Sequence, residues 1–92
     1  MKFEWDPHKE KTNIKKHGIS FEEAQTVFYS EHAQVFDDPD HSDNEDRFII
    51  VGFSAKANLL LTCFCERAKG SVIRIISARK LTKKETKNFN QR

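Results

Sequence analysis

Two hydrophobic periods alternate along this chain, and each change of period marks the edge of an element. Phe3, Glu4 and Trp5 read apolar, polar, apolar, the pattern of a short edge strand. Asp6-Pro7 supplies an N-cap and a proline at the first helical position. The helix they open runs to Lys16-His17-Gly18, with cations in the last turn and glycine as the left-handed stop. A second helix starts at once. Ser20-Phe21-Glu22-Glu23 is a capping box, with Ile19 placed as a hydrophobic staple onto Ala24. Phe21, Ala24, Val27 and Phe28 recur at helical spacing and define its buried face.

After Ala33 the pattern changes to strands. Ala33 to Phe36 predicts one, entering a polar stretch from Asp37 to Asp46 that reads as a loop. Three more follow, Arg47 to Ser54, Leu59 to Arg67 and Ser71 to Arg79. Their connections, Ala55-Lys56-Ala57-Asn58 and Ala68-Lys69-Gly70, are short enough for hairpins, which makes an antiparallel meander. Thr82-Lys83-Lys84-Glu85 is a second capping box, opening a short basic helix with Lys87 and Phe89. The order β-α-α-β-β-β-β-α predicts an α+β fold. A small antiparallel sheet carries two N-terminal helices and a short C-terminal one.

Ninety-two residues suit one domain, residues 1–92, and exclude an interdomain cleft, so any active site is shallow. The apolar runs from Phe48 to Phe53 and Leu59 to Leu61 are far shorter than the ~20 residues that span a bilayer. The opening Met1-Lys2-Phe3-Glu4-Trp5-Asp6 has no apolar signal region, so a cytoplasmic protein without membrane contact is expected.

The formal net charge of +2, from 16 Lys+Arg and 14 Asp+Glu, is a cancellation. Residues 1–30 carry five cations and five carboxylates, net zero. Residues 31–50 carry Arg47 against seven carboxylates, and residues 51–92 carry ten cations against two. Those segments stand at −6 and +8. A basic second half is the footprint of a polyanion-binding surface, the bland alternative being a solvated, charge-mixed one.

No metalloprotease, P-loop, nucleophile-elbow or dinucleotide motif is present. Cys63 and Cys65 share a strand face with Cα atoms about 7 Å apart, at the edge of disulfide geometry. Without a second cysteine pair they read as reduced core residues. An EF-hand starting at Asp38 would put Asp43 and Ile49 where glycine and glutamate are required, so no metal or cofactor is expected. What remains is arginine, histidine and a few carboxylates. Arg67, Arg74 and Arg79 lie in or beside the last two strands, and the guanidinium fork suits phosphate. Arg74 and Arg79 diverge on a straight strand and converge only across a bulge or strand end. His17 sits where a helix-end cation is expected. His41 lies among carboxylates, a setting that suits a general acid. His8 and His32 have no such context.

Five segments then fall in order. They are Phe3-Glu4-Trp5-Asp6-Pro7, Lys16 to Ala24, Asp38-Pro39-Asp40-His41-Ser42 with Glu45 and Arg47-Phe48, Glu66-Arg67, and Arg74 to Arg79. Together they cover most of the chain and resemble the BrnT toxin family. Asp46 departs from the resemblance, standing where the family often has a basic residue. The resemblance implies a RelE-like fold and a type II toxin that cleaves RNA without a ribosome. It also implies a hetero-oligomer with a BrnA-type ribbon-helix-helix antitoxin, which neutralises the toxin. The complex would repress its own operon, touching operator DNA only through the antitoxin.

Metal-free RNA cleavage requires the 2′-OH to lose a proton, the phosphorane to be stabilised and the 5′-oxygen to gain a proton. For those roles Arg67 and Arg79 are expected to stabilise charge, with Arg74 and Arg47 in support. Glu66 or His17 would be the base and His41 the acid, while Lys80, Lys83 and Lys84 bind the RNA backbone. The rival expectation is a basic module that holds RNA or a partner without chemistry, an inactive homologue serving as co-repressor.

Overall fold

In a computed structural model, which describes residues 1–39 and 46–90, the local signals build most of the elements they predict. Strand β1 is Lys2–Glu4. The Asp6 carboxylate then accepts a hydrogen bond from the His8 backbone N–H at 2.8 Å and caps helix α1, Pro7–His17. Gly18 ends it at φ 73°, a left-handed conformation that costs glycine nothing. Ser20 Oγ accepts from the Glu23 N–H at 3.0 Å and opens α2, Phe21–Thr26, which tightens into one 3-10 turn over Val27–Tyr29. Strands β2 (Gln34–Asp37), β3 (Arg47–Phe53), β4 (Leu59–Arg67) and β5 (Val72–Lys80) follow, then helix α3, Lys83–Asn90. Its capping box is complete: the Glu85 N–H donates to Thr82 Oγ1 at 3.1 Å and the Thr82 N–H to Glu85 Oε1 at 2.9 Å.

The box at Ser20 closes on one side only. The Glu23 carboxylate turns away and accepts from Ser54 Oγ and Asn58 Nδ2 at 2.7 Å each, pinning α2 to the β3–β4 turn. Burial pushes this carboxyl up, but the two hydrogen bonds and the Lys56 and Lys80 charges outweigh it, leaving its pKa below the ordinary value.

The sheet order is β1-β5-β4-β3-β2. Strands β2 to β5 form the antiparallel meander, and β1 adds a parallel strand with Glu4 opposite Arg74, so the sheet is mixed. Nothing local signals that pairing, because it joins residues 70 apart in sequence. Phe28 fastens it, meeting Phe3 and Phe64 edge-on at centroid distances of 5.1 and 5.0 Å. One face of the sheet carries the core, where Ile19, Phe21, Ala24 and Val27 pack on Ile50, Leu60, Phe64, Ile73, Ile75 and Ala78. Cys63 and Cys65 are both free thiols, the first half-buried and the second buried. No helix among the described residues is long and apolar enough to cross a membrane.

Strand β5 is bulged. Cys63 pairs with Ser77 but Phe64 with Ile75, so Ile76 is the extra residue. The slip moves every later side chain to the other face. Ile73, Ile75 and Ala78 therefore all point into the core, 4%, 1% and 0% exposed, while Arg74 and Arg79 share the opposite face. Asn13 holds the strand beyond the bulge. Its Nδ2 donates to the carbonyls of Ala78 (2.8 Å) and Ile19 (2.9 Å), and its Oδ1 accepts from the Ala78 N–H at 3.1 Å. The inner face of α1 thus buries an asparagine, at 5% exposed, while its one aliphatic side chain, Ile14, is 44% exposed.

Asn13→Ala leaves the Ala78 N–H and two carbonyls without their partner at a buried position. It is expected to lower unfolding free energy by about 1–3 kcal/mol in urea titrations. A wild-type midpoint for that variant would remove Asn13 from this role.

Candidate active site

The face opposite the core is partly covered by α3. Leu81 and Phe89 lie over Phe36, Val51 and Leu61 there and line a small apolar cavity of about 160 Å³. Beside α3 the same face opens into a larger groove of about 540 Å³. Its floor is sheet: Ile49, Leu61, Cys63 and Ser77. The basic side chains of its walls come from three places. Lys16 and His17 arrive from the last turn of α1, Arg47 from the start of β3, and Arg79 from the end of β5. Both devices at Ile76 and Asn13 are needed for this, one turning Arg79 onto the face and the other fixing α1 beside Ser77 and Ala78.

Two carboxylates pair with the two arginines. Asp38, its side chain 5% exposed, lies 3.5 Å from Arg47 Nη2. Arg47 Nε is buried with no hydrogen-bond partner among the described residues. Glu85 grips Arg79 in a fork, Nη1 to Oε1 at 2.8 Å and Nη2 to Oε2 at 3.1 Å. The Arg79 fork, with the Thr82 backbone N–H, overcomes desolvation and lowers the Glu85 pKa from 4.5 to about 2. The same pairing raises that of Arg79. The fork takes one N–H each from Nη1 and Nη2, so a phosphate reaching Arg79 meets its remaining N–H groups or shares the fork with Glu85.

The structure divides the residues singled out by sequence. His17, Arg47 and Arg79 line the groove. Arg74 and Arg67 share its sheet face but do not line it: Arg74 lies in the cross-strand row of Arg47 and Cys65, and both turn to Glu4, with Arg74 Nη1 at 2.7 Å and Arg67 Nε at 3.9 Å from Glu4 Oε2. Glu66 is on the opposite face from Arg67, across from Ile73. Lys80 also lies on the core side of β5, near Glu23. Lys83 and Lys84 are exposed in the first turn of α3. His41 lies outside the described residues. Sequence reasoning passed over Lys16, Asp38, Glu85 and Asn13. Glu85 was visible only as a capping residue, and nothing local marks Asn13 beyond an amide in a lysine-rich helix.

These features define a small α+β protein whose open sheet face carries a groove with basic side chains on its walls. A family model described as the ribonuclease toxin BrnT of type II toxin–antitoxin systems matches residues 5–85, and the chain belongs to that family. Among solved structures it is similar to the 1.1 Å crystal structure of the Brucella abortus ribonuclease toxin BrnT, at TM-score 0.69 and 27% identity. That match covers 90% of this chain and 99% of the other. A comparison with curated proteins finds no match. Membership makes RNA the substrate class and an antitoxin the partner.

A folded-state pKa below the unfolded one means that Glu85 contributes fully above about pH 4.5 and loses its contribution as pH falls toward 2. Helix α3 is expected to loosen from the sheet through that window, followed by NMR of the Phe89 ring. Glu85→Gln should show the loosened spectrum already at neutral pH. A Phe89 signal constant throughout would contradict the coupling.

Proposed function

We propose that the chain is a metal-independent endoribonuclease acting in the groove bounded by His17, Arg47 and Arg79. The observation that carries the reading is the convergence of those three side chains, with Lys16, on one open sheet face. Cleavage proceeds by attack of the 2′-OH on the adjacent phosphorus, leaving a 2′,3′-cyclic phosphate and a free 5′-OH. Arg79 and Arg47 oppose the charge that builds on the phosphorane, where preorganised donors contribute most. Their carboxylate partners hold each guanidinium in place before substrate arrives. His17 is the groove's imidazole and performs one of the two proton transfers. His41 remains the sequence's candidate for the other. Arg67, Arg74 and Glu66 are assigned to the Glu4 end of the sheet rather than to the chemistry.

In this reading the protein works in the cytoplasm without the ribosome, arrests translation and growth, and is neutralised by a BrnA-type antitoxin that also represses the operon. A basic face kept harmless in a cell suits a partner with complementary, partly acidic surface.

With single-stranded RNA in excess EDTA, the wild-type protein is expected to cleave. Arg79→Ala and Arg47→Ala should each lower the rate by roughly 10²–10³. Arg67→Ala should stay within a few-fold of wild type. Intact RNA with tight, salt-sensitive binding would instead favour the non-catalytic module. Full activity in both groove variants would move the site elsewhere.

A further inference from the structure

A second groove, of about 240 Å³, runs between α1 and the outer edge of β5. Its α1 wall is one helical stripe, His8, Lys9, Thr12, Lys16 and His17, facing Ile76 and Ser77. The bulged residue Ile76 is part of its strand wall. Strand β1 leaves β5 after Arg74, so beyond that point α1 rather than another strand flanks the edge. Lys16, His17 and Ser77 line both grooves, so the second continues directly from the first.

The two grooves differ in charge. Asp38 and Glu85 line the first, whereas among the described residues no carboxylate lines the second. Among the described residues neither Lys9 nor Lys16 joins an ion pair, and Lys9 and His8 are exposed. A basic stripe with no counter-charge among the described residues that line it, continuous with the proposed cleavage groove and about 14 Å long from His8 to His17, fits an extended anionic strand. Phosphates bound there would meet point charges from lysine rather than arginine forks. Such contacts hold a backbone without reading its bases.

We infer that this groove is a binding subsite for the phosphates flanking the cleaved bond, holding single-stranded RNA along α1 and feeding it past His17 into the cleavage groove. The inference rests on the nuclease reading. It gives Lys9 and His8, which have no part in the chemistry, a role in substrate affinity.

The test uses the full chain with a 2′-O-methyl RNA oligomer, which binds but has no nucleophile, and with the matching cleavable RNA. Lys9→Gln and His8→Gln alter exposed helix positions and leave the core intact. For Lys9→Gln, affinity for the 2′-O-methyl oligomer should fall, with the salt slope of log K reduced by about 0.7, the value for one phosphate contact on a single strand. On cleavable RNA both variants should raise KM more than they lower kcat. Lys56→Gln, an equal loss of charge at the β3–β4 turn, should do neither. Wild-type affinity and slope in Lys9→Gln, or an equal loss in Lys56→Gln, would overturn the subsite while leaving the nuclease reading intact. A wild-type protein that binds no RNA would overturn both.

Discussion

The contact on which the rest of the molecule depends is the amide of Asn13 against the main chain of Ala78. It takes both the N–H and the carbonyl of a strand residue that has no further strand beside it, and the Ile19 carbonyl as well. A buried backbone pair left open there would be costly, so the amide acts as one rung of the missing ladder. Because Asn13 belongs to α1, the same contact fixes where the last turn of that helix lies. His17 and Lys16 are brought to the sheet by a structural requirement, and the groove is a consequence.

The Ile76 bulge is the second half of this arrangement. A straight β5 that kept Ile73 and Ile75 in the core would put Ala78 on the opposite face and Arg79 inside it. The extra residue resolves the conflict: three core residues stay inward and both arginines of the strand face out. It falls just beyond the point where β1 ends and α1 takes over the strand edge. A single local irregularity therefore turns Arg79 onto the first groove and lines the second with Ile76.

Charge is arranged by the same economy of parts. Glu85 closes the capping box of α3, forks Arg79 and lines the groove, so one carboxylate ties the last helix to the proposed phosphate site. Glu4 does the corresponding work at the other end of the sheet, gathering Arg74 and Arg67 beside β1. Of the basic excess in the second half of the chain, only part faces the cleavage groove. Lys80 points to the core side and Lys83 and Lys84 to solvent, while α1, in the charge-neutral first third, contributes Lys16 and His17 to the groove. Segment charge alone points to the wrong third for those two.

Local chemistry decided most of the elements. The caps at Asp6, Ser20 and Thr82, the stop at Gly18 and the spacing of Phe21, Ala24 and Val27 act over a few residues, so they can be read from a few residues. The family likewise was legible, because its segments lie in order along the chain. The parallel pairing of β1, the burial of Asn13 in place of Ile14 and the separation of Arg67 from Arg79 join distant parts of the chain or depend on which face a strand presents. A strand's alternation states that its two faces differ. Only packing against α1 and α2 selects the inner one, and only the residue at the bulge decides where the faces exchange. For this protein that exchange is what puts Arg79 beside His17.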